Sequence, residues 1–375
     1  MDLKVQRTLE MLDPFVGVTQ KLMLSKHDSI VVLALKIFAL LLPVHLPAMP
    51  RELPWVLKNI FFLLQRGGST SSLTMQACFK TLTVLLREAK GKVMLSQSQL
   101  KVLLSLAKQD ICESGRQAVA FGLVRAIIAR KLVCEEVYDL VDRISEHMVT
   151  SQSEQTRALS AQTLIQFILE FPMGDKRLHA HLTSLVRNLD YGYESGRKIV
   201  LEVMARIAAK LPQPVMLQYL ELFFLPLVTR LVNDDSSTCR KMVGLLIKDL
   251  LGRAERKQLD TLLDLVLEWS GGADALLRRA AAQVLGLLVE QQGSAAERYM
   301  ERVLAALAQA VAMSLQGEQP HGEWEGIYQL LTAAEKLHGA CSKLTHAPTY
   351  LQHMVPPTRP HVHTRVLAPG LRTCG

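Results

Sequence analysis

Glu194-Ser195-Gly196-Arg197-Lys198-Ile199-Val200-Leu201-Glu202-Val203-Met204 is the stretch from which the fold of this chain can be read. Its opening repeats an earlier one, Glu113-Ser114-Gly115-Arg116, and belongs to a longer series. Arg116, Arg157, Arg197, Arg240 and Arg279 each stand at the start of an Ala/Val/Leu-rich segment, at spacings of 41, 40, 43 and 39 residues. Behind Arg197, the residues Val200, Val203, Met204 and Ile207 fall at i, i+3, i+4 and i+7, one apolar stripe along a helix. Ala161, Leu164, Ile165 and Ile168 do the same, and Leu178, Leu182, Leu185, Val186 and Leu189 continue the theme. No stretch sustains the alternation of a strand. A period of ~40–47 residues with two helices per unit is the mark of stacked helical repeats. The expected fold is therefore all-α, a HEAT/armadillo-like α-solenoid of about eight helical pairs, wound as a right-handed superhelix.

The pairs read as 3–24 with 28–43, 52–66 with 70–89, 97–109 with 113–130, 135–149 with 153–171, 175–190 with 194–210, 214–232 with 235–252, 255–270 with 274–291, and 294–316 with 323–343. Ser96-x-x-Gln99, Ser151-x-x-Glu154 and Ser294-x-x-Glu297 have the capping-box pattern, in which a hydroxyl and a returning Glu or Gln satisfy orphan N–H groups. Asp234 and Asp235 are expected to serve the same end. Pro43, Pro172, Pro212 and the glycines at 67–68 and 271–272 mark stops. The pattern places one repeat segment over 1–343 and a disordered tail over 344–375, punctuated by Pro348, Pro356, Pro357, Pro360 and Pro369. The chain begins inside the pattern, so 1–343 is expected to be part of a longer solenoid whose first pair bares an apolar face.

Composition agrees with many helix–helix seams. The 375 residues are 49% hydrophobic and 21% charged, with aromatics at 5%. The net charge of +8 is compatible with an anionic partner such as RNA, although Arg359, Arg365 and Arg372 of the tail supply part of the excess. Six cysteines without a C-x-x-C pair fit free thiols in a reducing compartment. The apolar run 30–42 is interrupted by Lys36 and too short to span a membrane. Met1-Asp2-Leu3-Lys4 lacks a signal-peptide pattern, and the chain is expected to be soluble, nuclear or cytosolic.

An acid precedes each arginine of the series: Glu113 before Arg116, Glu154 before Arg157, Glu194 before Arg197, Asp234 and Asp235 before Arg240, and Asp274 before Arg279. This predicts an Asp/Glu–Arg ladder between stacked repeats, with Arg116, Arg157, Arg197, Arg240 and Arg279 as its structural members. Lys198, Lys241 and Arg278 adjoin the ladder and are expected to point outward, where they could meet phosphates together with Lys176 and Arg177. Pro360-His361-Val362-His363 has metal-ligand spacing but no supporting Cys or carboxylate. No glycine-rich phosphate loop, G-x-S-x-G or H-E-x-x-H is present, so neither catalysis, cofactor, metal nor small-molecule substrate is expected.

Two segments are more specific. Phe171 to Met204 contains Pro172-x-Gly174-x-Lys176-Arg177-Leu178 and the Glu-Ser-Gly-Arg opening. Leu220 to Arg253 contains Phe223-Phe224-x-Pro226-Leu227 and Val232-Asn233-Asp234-Asp235-Ser236-x-x-Cys239-Arg240-Lys241-Met242. Together they resemble the C-terminal region of the U3 small nucleolar RNA-associated protein 20 family. The resemblance is strongest over about 150–300. It implies a nuclear, mainly nucleolar, non-catalytic scaffold of the small-subunit processome, or 90S preribosome. Its implied partners are U3 snoRNA, pre-rRNA and processome proteins, with a role in 18S rRNA processing. Family members are many times longer and end in a lysine-rich helical tail, where this chain has its proline- and histidine-containing one. Two other classes are the HEAT protein–protein adaptor, of transport-receptor or phosphatase-scaffold type, and the helical region of a giant kinase-like protein. The latter needs catalytic motifs that this sequence lacks.

Overall fold

The computed structural model describes residues 3–67, 70–89 and 93–316, together with 328, 329, 331–333, 335 and 336. The expected tail, including His361 and His363, lies outside the described residues. Among those residues the ordered elements are all helical. They are α1 (Leu3–Leu22), α2 (Asp28–Leu41), α3 (Met49–Arg66), α4 (Leu73–Glu88), α5 (Gln97–Asp110), α6 (Gln117–Ala129), α7 (Glu135–Thr150), α8 (Glu154–Glu170), α9 (Asp175–Arg187), α10 (Glu194–Lys210), α11 (Gln213–Gln218), α12 (Leu220–Asn233), α13 (Ser237–Arg253), α14 (Arg256–Ser270), α15 (Ala275–Gln292) and α16 (Met300–Gln316). They follow the first seven expected pairs; α16 lies within the expected first helix of the eighth, and most of that pair's second helix, 323–343, lies outside the described residues. The chain divides into two compact units, Met1–Leu246 and one beginning at Ile247.

In the first unit, α1 packs on α2, α3 on α4, α5 on α6 and α7 on α8. The second helices then stack on one another: α2 on α4, α4 on α6, α6 on α8 and α8 on α10. Their apolar residues therefore face two ways, which is why they read as hydrophobic on more than one side. Phe38, Phe79, Phe121 and Phe167, one from each of α2, α4, α6 and α8, are among the largest fully buried side chains. Burial of each contributes about 1.5–3 kcal/mol. Two polar groups inside this layer are paired across helices: Thr81 donates to the carbonyl of Leu35 at 3.1 Å, and Thr156 to Gln117 Oε1 at 2.5 Å. In the second unit α14 packs on α15 and on α16.

Local signals set the boundaries, with some reassignment. Ser96 and Gln99 form the expected capping box. Before α8, however, Ser153 caps by accepting from the Thr156 N–H, while Ser151 accepts from the Ser153 N–H. Ser294 opens no α-helix, because Gly293–Tyr299 winds as a 3-10 helix and α16 starts after it. A capping box not anticipated joins Glu255 and Gln258. The expected helix 214–232 breaks at Tyr219, whose buried ring lies 5.9 Å from that of His179. On α1, Met11, Phe15, Val18 and Leu22 form an exposed apolar stripe at helical spacing. Among the described residues no helix is long and apolar enough to cross a membrane.

The two Glu-Ser-Gly-Arg openings fold differently. Gly115 sits at φ +85° in the turn before α6, with open space where a Cβ would go. Gly196 lies inside α10, where a Cβ would collide with the Tyr191 ring and come within 3.0 Å of the Val149 carbonyl. Gly196→Ala should therefore cost about 1–3 kcal/mol by overpacking, and Gly115→Ala about 1–2 kcal/mol by backbone strain. In urea unfolding, Tyr191→Ala should show coupling with Gly196→Ala and none with Gly115→Ala.

Candidate functional site

The arginine series has a common geometry that the sequence does not announce. Arg157 Nη1 donates to the carbonyls of Ser151 and Gln152 at 2.8 and 3.1 Å. Arg197 Nη1 donates to those of Tyr191 and Gly192 at 2.9 and 3.1 Å. Arg240 Nη1 takes Asp234 and Asp235 in the same way, the latter at 3.3 Å. In the second unit it is Arg278, not Arg279, that reaches Gly272 and Ala273, at 3.0 and 2.7 Å. Each arginine holds the carbonyls six and five residues before it, in the turn just past the preceding helix. Arg116 keeps the six-residue reach but uses a side chain: its Nε lies 2.9 Å from Oδ1 of buried Asp110. Carbonyls there lack intrahelical partners and carry the negative end of the helix dipole, so a guanidinium satisfies both needs.

This geometry changes the expected acid–arginine ladder. Glu113 does sit 3.6 Å from Arg116. Glu194, by contrast, pairs with Lys198 at 2.6 Å and accepts from Ser236 at 2.8 Å. Its carboxyl is held below the usual range chiefly by the Lys198 hydrogen bond, and Lys198 is raised in turn. The principal acids of Arg197 come from the next repeat. Nε and Nη2 bind the two oxygens of Asp234 at 2.9 Å each, and Nη2 also reaches Asp235. With two carbonyls on Nη1, all five guanidinium N–H groups are used. Arg197 is only 4% exposed. Burial works to lower its pKa, but the hydrogen bond and charge of Asp234, followed by Asp235, hold it above the ordinary arginine value. The charge of Arg197 pulls Asp235 down.

The proposed phosphate contacts are distributed unevenly. Lys176 is exposed, and so is Lys241. Lys198 is half-buried against Glu194. Lys198 and Lys241 each follow a turn-holding arginine by one residue, so they occupy equivalent positions in successive repeats. Arg278 does not point outward: it is 5% exposed, with Nη1 against the Gly272 and Ala273 carbonyls. Arg278 takes the turn-holding place expected of half-buried Arg279, because the length of the turn before α15 puts 278 at the six-residue reach.

Lys176 and Arg177 border a groove of about 710 Å³ between α7 and α9. Asp142 and Glu146 stand on its other wall. The Arg177 guanidinium lies 4.0 Å from the Tyr138 ring centre and 4.0 Å from Asp142. His181, 6% exposed, packs its edge on Phe167 and leaves Nε2 without a hydrogen bond, 4.0 Å from Asp142 Oδ1. Burial lowers its pKa, with Asp142 opposing and Arg177 adding to the effect. The groove can seat a polar group carrying either charge. Asp142 and His181 were not singled out from sequence; their separation by about one repeat was the available signal. Among the described residues no three His, Cys, Asp or Glu side chains are grouped to hold a metal ion.

Stacked helical pairs with arginine-held turns define a HEAT-type α-solenoid. Its sequence is similar, over about 70% of its length, to proteins named U3 small nucleolar RNA-associated protein 20. The protein of that name from Schizosaccharomyces pombe is 31% identical over 281 residues, 74% of this chain and 11% of the relative. That from Saccharomyces cerevisiae is 29% identical over 266 residues, 70% of this chain and 10% of the relative. The chain thus spans about a tenth of the length of these curated relatives. No protein-family model matches it. Among solved structures, Kap95p with RanGDP aligns with 90% of this chain and 44% of its own, at 10% identity and a TM-score of 0.48. Kap121p bound to Pho4p covers 90% and 41%, at 11% identity and a TM-score of 0.43.

Arg197→Ala should lower stability by about 3–5 kcal/mol, because it strands buried Asp234 as well as two carbonyls. Arg157→Ala, which frees only the carbonyls of a half-buried turn, should cost about 1–3 kcal/mol. Chemical denaturation measures both. For His181 the direction with pH follows from its depressed pKa. The unfolded chain takes the proton more readily, so this contribution is complete above the ordinary value of 6.5 and is lost as pH falls below it. His181→Leu should flatten that part of the stability loss between about pH 7 and pH 5.

Proposed function

We propose that the chain is a non-catalytic scaffold segment of the small-subunit processome, acting in ribosome biogenesis in the nucleolus. The observation that carries this reading is the match of about 70% or more of its length to two proteins named for association with U3 small nucleolar RNA. Its partners are U3 snoRNA, pre-rRNA and processome proteins, held in one arrangement during processing toward 18S rRNA. The repeat segment 1–343 supplies surface, and contact is spread over many weak sites. Exposed Lys176 and Lys241 are its phosphate contacts, with Lys198 and Arg177 weaker because Glu194 and Asp142 lie against them. Arg278 is not one of them, because its guanidinium is buried.

Tagged chain expressed in eukaryotic cells should co-purify U3 snoRNA and early pre-rRNA. Lys176→Gln with Lys241→Gln should reduce that recovery without lowering the melting temperature. The replaced contacts should also reduce the salt sensitivity of recovery. Recovery of transport cargo or a phosphatase without U3 snoRNA would support the adaptor reading instead.

A further inference from the structure

A second surface, away from the arginine-held turns, has a more pointed chemistry. Along α3, Arg51, Trp55, Lys58, Phe62 and Arg66 are all exposed. Their spacings of four, three, four and four residues place them on one face, alternating cation and aromatic. Trp55 is 56% and Phe62 51% exposed. Two large rings in water on a helix whose other side holds buried Leu53, Val56, Ile60 and Leu64 are not needed for the core. They border a groove of about 500 Å³ against the end of α1, where Lys21 and Leu24 complete the wall with Asn59 beneath. The lining has two ammonium groups and no carboxylate. Lys58 Nζ lies 5.6 Å from the Trp55 ring centre. The acid closest in sequence, Glu52, pairs with Arg51 at 3.0 Å and leaves Lys21, Lys58 and Arg66 to set the sign of the surface.

We infer that this face binds a short stretch of single-stranded RNA. Trp55 and Phe62 stand about 10 Å apart along the helix, so each meets a different base. Their faces stack on bases of any sequence, while Lys21, Lys58 and Arg66 follow the phosphates. A duplex, whose bases are already stacked, offers only its phosphates to such a surface. The inference rests on the proposed RNA-associated function and adds to it a place and a kind of RNA. It uses none of Lys176, Lys198 and Lys241.

The test titrates the full chain into fluorescently labelled oligouridylate of about 12 nucleotides, into duplex RNA of equal length, and into an acidic peptide of equal length. Fluorescence anisotropy reports binding, and circular dichroism checks that the variants fold. Trp55→Ala with Phe62→Ala should weaken oligouridylate binding by about tenfold or more and leave duplex binding unchanged. Lys21→Gln with Lys58→Gln should weaken both RNAs and make their salt dependence shallower. Unaltered oligouridylate binding by the aromatic variant overturns the inference. So does tighter binding of the acidic peptide than of oligouridylate, which would mark a protein-docking face. If these failures occur while tagged chain still recovers U3 snoRNA from cells, the site is wrong and the function stands. If U3 snoRNA is not recovered and oligouridylate is not bound, both are wrong.

Discussion

An arginine that reaches back six residues is the interaction on which the repeat depends. A short turn between two packed helices leaves the last carbonyls of the first helix without helical partners. A guanidinium entering from the first turn of the second helix brings two N–H groups on one nitrogen to two successive carbonyls. Its own helix is fixed by apolar contacts that do not involve the turn. The donor is therefore positioned before the bond is made, and the bond fixes how one helix leads into the next. Arg157, Arg197, Arg240 and Arg278 repeat this construction over backbone sequences that share little else.

Arg197 shows how a local device becomes a link between repeats. Its Nη1 closes its own turn while Nε and Nη2 bind Asp234, which ends α12 of the following repeat. The Asp234 carbonyl is in turn held by Arg240. One residue thus ends a helix, receives the arginine of the repeat before it and supports the arginine of its own. Burying such charges carries a desolvation cost that can offset the attraction. The net gain need not be large. What the arrangement fixes is register, because a bidentate fork accepts one placement of Asp234 and no neighbouring one.

The period, the helical class and most helix ends were legible in the sequence because they rest on local rules: apolar spacing, proline stops and polar caps. The partners of the arginines were not, because the preceding acids made a plausible but different pattern. Glu194 was the obvious partner of Arg197, yet Lys198 is one turn further along the helix and takes it. Arg278 and Arg279 could be separated only by the length of the turn before them. The identical Glu-Ser-Gly-Arg openings show the same limit. A glycine needed for its backbone angle and one needed for close packing are spelled alike, and only Tyr191 and Val149 distinguish them. The groove between α7 and α9 was illegible for another reason, since its walls come from different repeats.

These constraints also explain where variable chemistry can lie. The second helices of the first unit stack on their neighbours, and Arg157, Arg197 and Arg240 at first turns are drawn into holding the turns. The first helices keep a face that stacking does not use. On α7 and α9 that face carries opposed charges around a buried imidazole, and on α3 it carries alternating rings and cations. Changing the exposed members of these faces leaves the arginine-held turns untouched. A repeat built this way separates its structural demands from its surface chemistry. Neighbouring repeats can then present different surfaces on the same frame.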